Sequence, residues 1–315
     1  MIGIEAIGTY LPEQRIDNRR RMGKFGVDEE FLKIKTGMLR LAAKRPDEET
    51  SDMCCNAFMD LQQKHYVNIE KIDCIVVCTQ NPDDAGLPHV SAIVHAKLGL
   101  PDTCAAFDIS LGCSGFVYGL SVIQGFMIAN GFRKGLLFTA DPYSKVIDKE
   151  DKNTALLFGD GASVSLIGDD PVWRPGRFLF GTHGMGYEAI KVEKDSGMLT
   201  MNGREVFTFS ATVVPENIRE MLSLNGLGID DIDCFALHQG SRFIVDTLRK
   251  RLQVDPGRVP FVAVDYGNTV SSSIPLLLNQ LPDDMDTVVI AGFGVGLSWA
   301  STVLFKGGKP NGCYA

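Results

Sequence analysis

Short apolar runs alternate along this chain with longer stretches in which apolar residues return every three or four positions. The runs Cys74-Ile-Val-Val-Cys78, Ala105-Ala-Phe-Asp108, Gly135-Leu-Leu-Phe-Thr-Ala140, Cys234-Phe-Ala-Leu237, Phe261-Val-Ala-Val264 and Thr287-Val-Val-Ile-Ala291 predict buried strands. From Ser114 to Asn130, Phe116, Leu120, Ile123, Met127 and Ile128 recur near the helical period, and the stretch stops at Asn130-Gly131. Its length and apolarity predict a buried central helix. A second helix, Ser241 to Gln253, turns Phe243, Ile244, Val245, Leu248 and Leu252 inward and Arg242, Arg249, Lys250 and Arg251 outward.

The order of these elements repeats. Ile69-Glu-Lys-Ile-Asp-Cys-Ile-Val-Val-Cys-Thr-Gln80 returns as Ile229-Asp-Asp-Ile-Asp-Cys-Phe-Ala-Leu-His-Gln-Gly240, and two further apolar strands follow each copy. One α/β unit used twice is expected, as halves 1–168 and 169–315, joined through Gly168-Asp-Asp-Pro171. Trp173 to Phe207 reads as an irregular insert, with Asn202-Gly203 as a tight turn between strand-like flanks.

Composition narrows the function classes. At 315 residues and 45% hydrophobic content the chain can bury a large core. Its net charge of −8 and lack of a long basic tract argue against a nucleic-acid partner. No apolar run is long enough to span a bilayer, and Met1-Ile-Gly-Ile-Glu5 lacks the pattern of a signal peptide, so a soluble cytoplasmic protein is expected. The eight cysteines form no C-x-x-C pair and mostly lie in apolar runs, which argues against a metal site or a disulfide framework.

One cysteine differs from the rest. Cys113, in Leu111-Gly-Cys-Ser-Gly115, sits where a strand ends on glycines and the long helix begins. A helix N-terminus favours thiolate over thiol, so Cys113 is the candidate nucleophile, with a packed core thiol as the plain alternative. Of five histidines, only His238 ends a buried strand. Its imidazole can donate a hydrogen bond or exchange a proton with the thiol. Asn268, in Tyr266-Gly-Asn-Thr269, is either a turn residue or a second N–H donor beside His238 for an enolate oxygen. All three follow predicted strands, the edge where α/β folds assemble sites. Gly292-Phe-Gly-Val-Gly296 superficially matches a dinucleotide fingerprint, but too little chain follows to supply a ribose-binding acid. A glycine loop whose N–H groups join that of Cys113 in an oxyanion hole is the better reading.

Together the segments resemble the β-ketoacyl-acyl-carrier-protein synthase III branch of the thiolase-like condensing enzymes. The matching stretches are Gly8-Thr-Tyr-Leu-Pro12, Lys35-Thr-Gly37, Ala106-Phe-Asp108 with Gly112-Cys-Ser-Gly115, Phe158-Gly-Asp-Gly-Ala162, Met201 to Phe207, His238-Gln239, Gly267-Asn-Thr269 and Gly292 to Trp299. The resemblance implies a five-layered αβαβα fold of two related halves, a homodimer, and catalytic positions at Cys113, His238 and Asn268. Gly296 would pair with the Cys113 N–H as oxyanion hole. It further implies ping-pong chemistry without cofactor: an acyl-CoA or similar thioester acylates Cys113, malonyl-acyl-carrier protein loses carbon dioxide, and its enolate attacks the acyl group.

Departures from that family's pattern point to a specialised paralogue. A tryptophan and two arginines that relatives use to bind CoA correspond to Phe31, Lys35 and Lys152, which keep stacking and charge but lose the bidentate fork. Weaker CoA binding, or a carrier-bound donor, is expected. Gln239-Gly-Ser241 replaces the usual Gln-Ala-Asn, and Phe243 stands where an arginine is expected. Leu87 takes the place of a bulky residue that reaches the partner subunit's acyl pocket in relatives. Arg242, Arg249, Lys250 and Arg251 form the candidate dock for an acidic carrier protein, with Arg19, Arg20 and Arg21 as the alternative patch. Three rival classes stay open: an acyltransferase that passes the acyl group to a hydroxyl or amine, a papain-like hydrolase, and a non-catalytic subunit. The sequence around Cys113 lacks the papain-like signature.

Overall fold

The computed structural model describes residues 2–307, so Cys313 lies outside the described residues. Ten strands form one hydrogen-bonded sheet, nine of them along a single path. At one end, Cys74–Cys78 runs parallel to Ala105–Ile109 on one side and to Lys134–Ala140 on the other, followed by antiparallel Ala162–Gly168 and Gly3–Tyr10. At the other end, Cys234–Leu237 runs parallel to Thr287–Gly294, which pairs antiparallel with Ser298–Lys306. Short strand Trp173–Pro175 joins the two groups through Ile4 and Leu304 to Lys306. Leu179–Thr182 adds to Ser298–Lys306, so the expected irregular insert contributes two strands to the sheet.

Helix Gly115–Asn130 packs against strands of both groups, which places it in the middle layer with Ser273–Leu278. Thr50–Lys64 covers the outer side of Gly3–Tyr10 and Ala162–Gly168, and Gly203–Leu224 with Arg242–Leu252 covers the far side of the second group. The result is the expected layering, helix, sheet, helix, sheet, helix. Phe116, Leu120, Ile123 and Met127 are fully buried, and Gly131 ends the helix in a left-handed conformation. Among the described residues no helix is long and apolar enough to cross a membrane.

Four local expectations are corrected. Phe261-Val-Ala-Val264 is not a strand, and a 3-10 turn spans Ala263–Asp265. Pro260 carries no N–H, and the Gln239 side chain takes up the neighbouring backbone: Val262 N–H donates to Gln239 Oε1 at 3.0 Å, and Gln239 Nε2 donates to the Leu237 carbonyl at 2.8 Å. Asn202-Gly203 is no hairpin turn, because Asn202 caps helix Gly203–Leu224 by accepting from Glu205 N–H at 3.2 Å. Ile128 is 64% exposed because it lies on the side of its helix away from the sheets. Phe243 is 37% exposed, in the first turn of its helix, where it lines the wall of a cavity rather than the core.

Candidate active site

Cys113, His238 and Asn268 line one cavity of about 460 Å³. Cys113 and His238 arrive from strand ends, and Asn268 from the turn after Ala263–Asp265. Cys113 follows Ala105–Ile109 and precedes helix Gly115–Asn130. His238 continues the ladder of Cys234–Leu237, its N–H donating to the Ala291 carbonyl at 2.9 Å. Asn268 follows Gly267, whose φ of +85° and whose approach to the Leu157 carbonyl leave no room for a side chain. The Asn268 Oδ1 accepts from Val270 N–H at 2.9 Å, which turns its amide nitrogen toward the remaining space.

The thiol sits against Thr287–Gly294. A Cβ added at Gly294 would stand 2.9 Å from Cys113 Cβ and Sγ, so only glycine permits this approach. Burial pushes the thiol up to about 12, with the Asp141 carboxyl adding to the shift, while the N–H groups of Val295 and of Cys113 itself pull it down. The expectation of a thiol held low by its helix end is thereby corrected: desolvation outweighs the backbone donors, and the resting form is the neutral thiol. Val295, whose N–H acts on the sulfur, directly precedes the expected Gly296. Alkylation of Cys113 by iodoacetamide is therefore expected to climb by about tenfold per pH unit from pH 7 to 9. A plateau near neutrality would show a preformed thiolate instead.

His238 is 2% exposed, and the Phe293 ring meets it edge-on at 5.5 Å. Burial lowers its pKa to about 3, a shift that the Val270 carbonyl opposes. The imidazole is therefore neutral across the physiological range. Its Nδ1 lies 2.7 Å from Ser273 Oγ, which also faces Gln239 N–H at 3.5 Å. Ser273 and Val270 were missed from sequence; both lie in the run that directly follows Asn268, Val270-Ser-Ser-Ser273.

The outer cavity is aromatic and basic. Phe31, Lys35 and Lys152 all line it, together with Arg204, Phe207 and Phe243. Lys152 Nζ stands 5.1 Å from the Phe31 ring centre and Lys35 Nζ 3.9 Å from that of Phe243, which stacks on Phe207 at 4.9 Å. Ile190, Met201 and Val206 add apolar wall to the same cavity. Leu87 is 88% exposed, on the surface of its own subunit. Arg242 stacks over Phe261 at 4.4 Å, Arg249 donates to the Val254 carbonyl at 3.3 Å, and Lys250 and Arg251 are exposed.

A two-part α/β scaffold thus gathers a cysteine, a histidine and an asparagine at one cavity. Residues 107–184 match the family model of 3-oxoacyl-[acyl-carrier-protein] synthase III, and residues 222–305 match that of its C-terminal region. The β-ketoacyl-[acyl-carrier-protein] synthase III 1 of Halalkalibacterium halodurans is 34% identical, the match covering 96% of this chain and 97% of that one. Among solved structures, the synthase III of Thermus thermophilus superposes with a TM-score of 0.90 at 33% identity, covering 98% of this chain and all of that one. The priming β-ketosynthase of the R1128 polyketide pathway gives 0.87 at 29% identity, covering 97% and 96%. The chain belongs to the β-ketoacyl-[acyl-carrier-protein] synthase III family.

Proposed function

We propose that the protein joins an acyl group, carried on Cys113, to a malonyl group carried by an acyl-carrier protein, with loss of carbon dioxide. The observation that carries this reading is the convergence of one thiol, one neutral imidazole and one oriented amide on a single cavity with a basic, aromatic mouth. The division of labour follows the proposed halves: 1–168 supplies the nucleophile, and 169–315 supplies the two side-chain donors.

In the first half-reaction the Cys113 sulfur attacks the thioester carbonyl of the donor, and the thiol proton passes through His238 to the departing thiolate. The carbonyl oxygen gathers charge beside the backbone N–H groups of Cys113 and the glycine loop, Val295 and Gly296. In the second, the bond to the malonyl carboxylate breaks and carbon dioxide leaves. The electron pair stays as a thioester enolate held by N–H donors of His238 and Asn268. With the Ser273 hydroxyl donating to Nδ1, the proton of the neutral ring sits on Nε2, the form that can donate. The enolate carbon attacks the acyl carbonyl, the bond to Cys113 sulfur breaks, and the departing Cys113 thiolate takes up a proton from solvent, which restores the thiol. Every bond change is accounted for by these groups, so the proposal includes no cofactor. Transfer of the acyl group to a hydroxyl or amine is the second reading, and it leaves the oriented Asn268 amide without a task.

The donor is an acyl thioester on CoA or on a carrier protein, with Phe31, Lys35 and Lys152 meeting its phosphopantetheine end. The carrier docks on the helix after His238. Arg249 already holds the Val254 carbonyl at its own helix end, so Lys250 and Arg251 are the free charges to test. In the alternative patch Arg19 is paired with Asp17 at 2.7 Å and Arg21 donates to the Ala155 carbonyl, which favours the helix. Reversal of Lys250 and Arg251 to glutamate is expected to raise the apparent KM for malonyl-carrier protein about tenfold at low salt while acylation by a CoA donor stays unchanged. Unchanged carrier kinetics would move the dock elsewhere. The reading also includes a cytoplasmic homodimer. The edge strand Ala105–Ile109, half-buried along its length, and the exposed Leu87 lie where a second copy would cover them.

A further inference from the structure

Asp141 follows strand Lys134–Ala140 and is completely buried. Hydrogen-bond donors hold its carboxylate rather than a cation: Gln80 N–H at 2.6 Å on one oxygen and the Ser271 hydroxyl at 2.7 Å on the other. Burial pushes its pKa up to about 6, and these donors oppose the shift. A carboxylate kept from water without a cation is destabilising, so its place is explained by what the two bonds hold.

What they hold is the turn after Asn268. Val270 donates its N–H to Asn268 Oδ1 at 2.9 Å, and its carbonyl accepts from the His238 ring. That carbonyl and the Ser271 N–H belong to one planar peptide unit, so the Ser271 side chain anchors the peptide that orients both donors. The turn needs an anchor, because Val270 has a φ of +53°, a left-handed conformation that a β-branched residue rarely adopts. On its other side the same carboxylate holds the Gln80 backbone, and the Gln80 side chain lies against the residue before the nucleophile: a Cβ at Gly112 would stand 2.6 Å from Gln80 Oε1. One side chain of the first half thus reaches from the loop of Cys113 to the turn of the second half that aims the enolate donors.

We infer that Asp141 is a positioning residue for the enolate step: through the Ser271 hydroxyl it fixes the Val270 peptide, and through that peptide it aims the Asn268 amide and the His238 imidazole at the enolate oxygen. The inference rests on the condensing reading of the site and deepens it, since it makes the two enolate donors of the second half depend on a carboxylate of the first.

The test follows carbon dioxide release from malonyl-acyl-carrier protein in steady state, with Cys113 acylation by acetyl-CoA measured alongside. Ser271→Ala is expected to lower kcat for release about tenfold with KM near the wild-type value, the signature of donors that are present but misaligned. Acylation is expected to fall by less than about threefold, because Ser273 still holds His238 Nδ1. Asp141→Ala should match Ser271→Ala, and the double variant should be no worse than either, because one bond is lost in all three. Asp141→Asn is expected to recover most of the loss: its Oδ1 accepts from Gln80 N–H, and its amide N–H donates to Ser271 Oγ, which turns from donor to acceptor. Wild-type kcat in Ser271→Ala overturns the inference, as does a loss confined to KM or an equal loss of acylation. Losses that multiply in the double variant, or an Asp141→Asn enzyme as impaired as Asp141→Ala, overturn it as well. If Asp141→Ala does not fold, Ser271→Ala and Asp141→Asn decide the matter. A wild-type enzyme that releases no carbon dioxide from the malonyl carrier fails the condensing reading itself, before any variant is compared.

Discussion

Replacing Cys113 with alanine abolishes acyl-enzyme formation, leaving no adduct detectable by intact-protein mass spectrometry with any donor. The basis is the singular position of this thiol. Among the described cysteines it is the one that lines the cavity. Cys54 and Cys78 are fully buried in the sheet and its covering helix, and their thiols lie well above the usual range because burial disfavours the thiolate. Cys113 is also pushed up to about 12, but it alone has both the Val295 N–H at its sulfur and a neutral imidazole on the same cavity. An adduct of equal yield on another cysteine would remove Cys113 from the mechanism.

Loss of a donor at the enolate separates the two half-reactions. Asn268→Ala is expected to lower malonyl decarboxylation by about 10²- to 10³-fold while Cys113 acylation stays near the wild-type rate. The amide is held by Val270 N–H, away from the thiol's own backbone donors, so it acts on the second substrate. His238→Ala is expected to lower decarboxylation by a similar factor and to slow acylation as well, because a thiol at about 12 needs a group to take its proton. Equal loss of acylation in both variants would assign Asn268 to the first half-reaction. The pH behaviour follows with its sign. His238 has a depressed pKa, near 3 in the folded state against 6.5 unfolded, so its burial contributes stability that is present above pH 6.5 and is lost as pH falls toward 3.

The parts legible in the sequence were those governed by local rules. Phe116, Leu120, Ile123 and Met127 repeat at the helical period, and Gly131 stops the helix as a left-handed glycine must. Cys113 and His238 stood out because each follows a strand and opens onto a turn. The strand reading of Phe261 to Val264 failed because the competing partner, the Gln239 side chain, lies elsewhere in the chain and reveals itself only in three dimensions. The low pKa expected for Cys113 failed for a related reason. A helix end is visible in sequence, whereas the depth of burial that overrides it is a property of the assembled layers.

The central claim is that an acyl group on Cys113 ends up bonded to carbon, and one chase experiment reads it directly. The isolated acetyl-Cys113 enzyme is mixed with malonyl-carrier protein, and both proteins are weighed by mass spectrometry over time. The account predicts that the enzyme loses its acetyl group only when the malonyl carrier is present, that carbon dioxide is released in equal amount, and that the carrier gains the mass of a 3-oxoacyl thioester. Acetyl loss at the same rate without the malonyl carrier, with acetate as product, would make the protein a hydrolase and contradict the account.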